Sequence, residues 1–308
     1  MTTPAKTRVV VVCLAMAISV VLFWRYRQDV RDLLRRAEQG PLPPAITAEE
    51  ARDLPKTPPP AAPELVPPSA PEPASETQKP PTSAATEPEK TSSEPAAEEP
   101  ASPGQPAETT ASGGGSVPAL PASINLKVPM VYQAPFAVWN AQDEDACEEA
   151  SMLMVQAYLA GDASMSREEM GRLIDGIVAY EMSTLGYFES TDAATTAGIM
   201  RSYLGLGSVR VLPVASIDDV KRELAAGRPV MLPASGRDLH NPNFRNGGPP
   251  YHMLVAKGYK PGWIITNDPG TRKGADYLYT EDVLFNAIHD WNGGDVLQGQ
   301  KVMIVVGE

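Results

Sequence analysis

The feature that most constrains this chain is where its prolines fall. Most of the 32 prolines in 308 residues lie between Pro41 and Pro121, among Glu-Pro and Ala-Pro repeats that end in ASGGGS. A stretch with almost no aromatic or β-branched side chains cannot bury enough apolar area to offset its conformational entropy. Residues 41–121 are therefore expected to form a disordered, partly polyproline-II linker, reaching between ~50 Å as a coil and ~250 Å as a rod. One domain, residues 122–308, and a short N-terminal segment, residues 1–40, are left.

In that N-terminal segment Val9 to Trp24 carries no charge, with Lys6 and Arg8 before it and Arg25 and Arg27 after it. The run is just short of the ~17–25 residues of a spanning helix, and Tyr26 and snorkelling arginines extend it to about residues 9–26. A signal anchor in a lipid bilayer is expected, making a single-pass protein of the cell membrane. Cleavage near Ala15 or Ala17, and lipid modification of Cys13, are the rival readings; both leave too little apolar chain before the cut. Arg25, Arg27, Arg31, Arg35 and Arg36 would hold the domain in the cytoplasm by the positive-inside rule. A long stalk is of most use projecting a domain outward from a bacterial membrane, so an extracytoplasmic (periplasmic) domain is expected.

Residues 122–308 carry 15 basic and 23 acidic side chains. An acidic domain without a basic patch argues against nucleic acid as the ligand. The only cysteines are Cys13 and Cys147, which excludes an intrachain disulfide framework. Cys147 must then be accounted for as a free thiol.

The domain opens on a predicted strand, INLKVPMVY. A buried helix follows over DACEEASMLMVQAYLAG, with Asp145 as N-cap, Glu148 as capping-box partner and Gly161 as its stop. Further helices are expected from Ser166 with Glu169 as box partner, over 193–204, from Ser216 with Asp219 to Gly227, and over EDVLFNAIHDW from 281. Strands are expected at VRVLPV, PVMLPA, YHMLVAKGY, WIITN and KVMIVV. Helices first and strands afterwards give an α+β domain with a mostly antiparallel sheet.

Cys147 falls in the first turn of its helix, where free N–H groups and the dipole favour a thiolate. His252 begins a strand that turns at Lys260–Pro261–Gly262. A turn centred on Lys260 puts His252 and Asp268 eight residues away on either side, as cross-strand neighbours. A carboxylate so placed fixes one imidazole tautomer, and the imidazole can take a thiol proton. Taken singly, a free cysteine is usually core, a strand histidine structural and an aspartate before proline a turn residue. Asp143, Glu144, Asp145, Glu148 and Glu149 crowd the thiol and oppose its ionisation, unless they face solvent or the cleft selects cations. His240, His252, His289 and Asp238 lack metal-ligand spacing, and no metal or other cofactor is expected. Trp139, Tyr251 and Trp263 are either cleft or core, and 236–250 is a candidate lid or substrate loop.

VPMVYQAPFAVWNAQDEDACEEASMLM, then YHMLVAKGY, then NDPG, resembles the bacteriocin-processing (double-glycine) family of papain-like cysteine peptidases, in its freestanding, extracytoplasmic branch. The likeness covers about residues 126–306. It implies a papain-like fold, a peptide or protein substrate and a thioester intermediate, with Cys147 as nucleophile, His252 as general base and Asp268 as orienting carboxylate. It also implies a glutamine that helps bind the oxyanion, for which Gln142 is nearest and Gln133 the fallback. Cys147-Glu148-Glu149 departs from the frequent Cys-Gly-Pro of that family. The alternative is a catalytically silent papain-like binding module displayed on the stalk.

Overall fold

Alternating and continuously apolar runs build the sheet, and the computed structural model describes it within residues 30, 33–54, 120–161 and 164–307. Residues 33–39 are helical, followed by helix α1 (Ala48–Arg52), strand β1 (Ile124–Asn125), and helices α2 (Ala141–Asp145), α3 (Cys147–Ala160), α4 (Arg167–Thr184) and α5 (Ala193–Ser202). Strand β2 (Val209–Pro213), α6 (Ile217–Ala225), β3 (Val230–Ala234), β4 (His252–Lys260), β5 (Trp263–Asn267), β6 (Tyr277–Thr280), α7 (Glu281–Ala287) and β7 (Val302–Val306) complete it. The sheet runs β2-β7-β3-β4-β5-β6, and each of these pairings is antiparallel. The expected α+β class and antiparallel sheet are therefore present.

The helix starts follow from side-chain caps. Ser166 accepts from Glu169 N, Asp192 from Thr195 N and Thr280 from Val283 N, and Ser216 and Asp219 form a capping box. Gly161 ends α3 in the left-handed conformation. Helix α3 packs on β4 with eleven residues buried, from Cys147 through Tyr158, so it is apolar nearly all round.

Three expectations need correction. The opening strand shrinks to Ile124–Asn125, which pairs with Tyr259 and Gly258 of β4 beyond the end of β3. It fits because Gly258 has no Cβ; one there would lie 2.3 Å from the Ile124 carbonyl oxygen. Asp145 does not cap α3; it ends α2, whose own cap is Asn140, and Ala146 stands at the α3 N-cap without a side-chain bond. The linker does not start at residue 41, because residues 40–54 are folded onto the domain. Ile46 donates to Asn125 O at 2.8 Å and accepts from Lys127 N at 2.6 Å, and Ala51 is buried. Among the described residues, those from 33 to 54 and those from 120 to 307 belong to one compact unit.

No helix among the described residues is long and apolar enough to cross a membrane. The segment read as a membrane helix, residues 9–26, and the proline-rich tract from 55 to 119 lie outside the described residues.

Candidate active site

Cys147 opens α3 at a point where first-turn N–H groups have no intrahelical partner. Its thiol is nearly sealed at 5 % exposure, beside the Met253 backbone of β4 and within a cavity of about 380 Å³. Gln133, Trp139, Asp145, Phe244, Tyr251 and His252 share that cavity wall with it. The segment 236–250 supplies much of the wall through Phe244, Arg245, Asn246 and Gly248. Trp263, at the start of β5, is not part of it.

His252 Nε2 lies 2.9 Å from Asp268 Oδ1, with both side chains fully buried. The two are not cross-strand partners as the sequence led one to expect. A bulge between Ala256 and Gly258 shifts the β4–β5 register, and Asp268 lies just beyond the end of β5. The carboxylate reaches the ring because the chain turns at Pro269 and Gly270, and Gly270 N donates to Asp268 Oδ1 at 3.0 Å. A Cβ at Gly270 would meet His252 Cε1 at 2.9 Å and Phe244 Cε1 at 3.1 Å, so the turn needs glycine there.

Two further residues that sequence reasoning missed hold Asp268. Tyr279 donates from its hydroxyl to Oδ2 at 2.6 Å, and Asn241 Nδ2 donates to Oδ2 at 3.3 Å and to the Tyr279 hydroxyl oxygen at 2.8 Å. Burial alone would raise the Asp268 pKa, but His252, Tyr279 and the Gly270 N–H together outweigh it and hold it below the usual carboxylate value. Phe244 stands edge-on to the His252 ring, 5.2 Å between centroids at 78°. With Nε2 committed to Asp268, Nδ1 is the ring nitrogen left to exchange a proton.

The acidic residues around the thiol divide in two. Asp143, Glu144 and Asp145 are exposed or half-buried, and Glu144 pairs with Arg245 at 2.5 Å. Glu148 and Glu149 are buried at 1 % and 0 % exposure, so the expectation of a solvent-facing cluster fails for them. Cys147 Sγ donates to Glu148 Oε2 at 2.9 Å, and Thr191 N donates to Oε1 at 3.0 Å. Glu148 is thus a partner of the thiol rather than of the helix cap. Burial, then the Glu149 carboxyl, pushes Glu148 up to about 8. Burial, then Glu148, pushes the Cys147 thiol up as well.

The expected oxyanion residue is not at this cavity. Gln142 donates its amide to Asp175 Oδ1 at 2.7 Å on an exposed surface. Gln133 is buried in the cavity wall, and its Nε2 donates to the carbonyls of Asp143 at 2.9 Å and Glu144 at 3.1 Å. No group of three or more histidine, cysteine or acidic side chains is gathered as metal ligands among the described residues. His289 Nδ1 is instead within 3.0 Å of the Gly299 carbonyl.

Comparison with known proteins adds a family to this geometry. The family model described as "Peptidase_C39 like family" matches residues 125–293. Among solved structures, one presented as a C39-like peptidase from Bacillus anthracis is 16 % identical, over 60 % of this chain and 98 % of that one, with a TM-score of 0.41. No curated protein matches.

Proposed function

The chain belongs to the Peptidase_C39 like family, and from that premise we propose that it is a membrane-anchored, extracytoplasmic cysteine peptidase-like hydrolase that cleaves a peptide or amide bond through Cys147, His252 and Asp268. The observation that carries this reading is that His252, 2.9 Å from the buried Asp268, lines the same cavity as the thiol. In the proposed reaction His252 Nδ1 takes the Cys147 proton, and sulfur attacks the substrate carbonyl carbon. The imidazolium then returns the proton to the leaving amine, which leaves a thioester on Sγ. Water, deprotonated by His252, releases the acid and regenerates the thiol. Asp268 stays ionised throughout, which its depressed pKa favours.

For the oxyanion, the Cys147 N–H is the proposed donor, and Gln133 replaces Gln142 as its side-chain partner. Both amide hydrogens of Gln133 are spent on backbone carbonyls, so this role requires one of them to be released when substrate enters. The N-terminal apolar segment is the proposed anchor, with the proline-rich tract as the stalk.

One observation favours the second reading, a catalytically silent binding module: the thiol is bonded to a carboxyl and held protonated. Assay of the full chain against a mixture of fluorogenic peptides separates the two. Hydrolysis that falls to background in Cys147→Ala and in His252→Ala is expected; undiminished hydrolysis in Cys147→Ala would end the peptidase reading.

A further inference from the structure

A nucleophilic cysteine ordinarily sits among groups that lower its pKa. Here the nearest polar atom that the thiol engages is a carboxyl oxygen, Glu148 Oε2 at 2.9 Å, on the adjacent residue of the same helix. That carboxyl has little freedom to leave. Its other oxygen accepts from Thr191 N at 3.0 Å, and the Thr191 carbonyl accepts from the Tyr251 hydroxyl at 2.9 Å. The contact therefore follows from the packing of the 191 loop and Tyr251 against the start of α3.

We infer that Glu148 is a brake on the nucleophile: a positioning residue that holds the Cys147 thiol proton and makes the thiol the second of the two groups to ionise. Two acids 2.9 Å apart in a buried site cannot easily carry charge together, so their protons leave in two steps that belong to the pair. The first step puts charge on the Glu148 carboxylate, and the thiol remains S–H, donating to it. Loss of the thiol proton then requires a cation, a substrate or His252 to offset the carboxylate. No other atoms or electrons move.

The groups that face this pair reinforce the order. Asp145 and Glu149 lie on its own stretch of chain, Glu181 approaches from α4, and Tyr251 connects it to Asp192 and Asp290. Against these, the Met253 backbone N–H lowers the thiol's pKa. Glu148 is raised to about 8, while the thiol is raised well above its own higher starting value, in keeping with this order.

The consequence for catalysis rests on the peptidase reading, but the test does not. Iodoacetamide labelling of the full chain, read by mass spectrometry on the peptide that holds Cys147, gives a rate against pH for that thiol apart from Cys13. In Glu148→Gln the midpoint is expected at least about one pH unit lower, which is roughly tenfold faster labelling at neutral pH. A midpoint that is unchanged or higher overturns the inference. Should that variant not fold, the infrared S–H band of the native chain, isolated by difference from Cys147→Ser, serves instead. The band is expected to shift with a midpoint near the Glu148 value of about 8, and a pH-invariant band overturns the inference. If the labelling shift occurs in a protein that hydrolyses nothing, the brake stands and the peptidase reading falls.

Discussion

At the scale of single residues, Asp268 shows how a buried charge is kept. Its oxygens collect His252, Tyr279, Asn241 and the Gly270 N–H, and so its pKa falls although burial opposes that. A carboxylate with a depressed folded pKa adds stability that is complete above its unfolded pKa and is lost as pH falls through the folded value. Tyr279→Phe removes the 2.6 Å donor and leaves Oδ2 with the longer Asn241 contact. The expected loss is about 1.5–3 kcal/mol of unfolding free energy at neutral pH, as for a hydrogen bond to a charged group, and less at low pH where Asp268 is protonated. Urea titrations at both pH values check it; equal losses at both would mean the hydroxyl acts only by packing. The His252–Asp268 contact, and the placing of Cys147 and His252 on one cavity, were legible because each residue carries a local signal: a cysteine at a helix start, a histidine on a strand, an aspartate after a hairpin. Tyr279 and Asn241 were not, since they reach Asp268 from eleven and twenty-seven residues away with no periodicity to mark them. Glu148 was misread for a different reason. Its spacing from Asp145 fits a capping box, but the cap had been taken up by the separate short helix α2, freeing the carboxyl to turn inward.

At the scale of elements, the packing of α3 on α4 buries a second acidic pair. Glu149 and Glu181 are each fully buried, and all four carboxyl oxygens are sealed from solvent. Burial, then Glu181, raises Glu149, and burial raises Glu181 to about 7. The native chain thus keeps protons that the unfolded chain has lost above the ordinary glutamate value of about 4.3. More protons bound in the folded state makes stability fall as pH rises above the ordinary glutamate range and on through the Glu181 value of about 7. Glu181→Gln gives Glu149 an amide donor at every pH. This variant is expected to match the parent near pH 5 and to exceed it by on the order of 1–3 kcal/mol near pH 8. Thermal unfolding at the two pH values measures this; a variant less stable than the parent at pH 8 would count against the pair as a proton-dependent joint. Helix α3 was readable as buried from its apolar run, and Glu149 fits the helix whichever way it points. What sequence could not give is which face of α4 meets it, because that depends on how the two helices pack.

At the scale of the molecule, residues 33–54 behave as a strap on the far part of the chain. Lys260, at the end of β4, donates its ammonium group to the carbonyls of Gln39, Gly40 and Pro41. Arg35 donates to the Leu278 carbonyl at 3.2 Å and lies over the Tyr277 ring, 4.5 Å from its centroid. Thr47 and Glu50 cap α1 reciprocally, and Ala51 presses on Gly227, where an added Cβ would come within 2.7 Å of the Ala51 Cβ. The prolines at 41, 43, 44 and 55 hid this from a reading by composition, which averaged the segment into the tract that follows. The local signal was present in Thr47-Ala48-Glu49-Glu50, a capping box ahead of a short helix, and in Ile46, which supplies a β-bridge. The strap and the tract after it therefore separate by deletion. Removing residues 55–119 and joining the ends with a flexible spacer is expected to leave the unfolding temperature of the domain within about 2 °C, since the strap contacts named above all come from residues 33–54 and a long flexible connection changes the closure cost only slightly. Removing residues 1–54 instead strips Ile46 and Ala51 from the core and leaves Lys260, buried in the intact chain, without its three carbonyls. Loss of about 2–4 kcal/mol lowers the unfolding temperature by roughly 5–15 °C for a domain of this size. Calorimetry of the two deletions against the full chain decides it: equal unfolding temperatures would show that the strap adds nothing, and that the folded unit begins only after the proline-rich tract, as composition alone suggested.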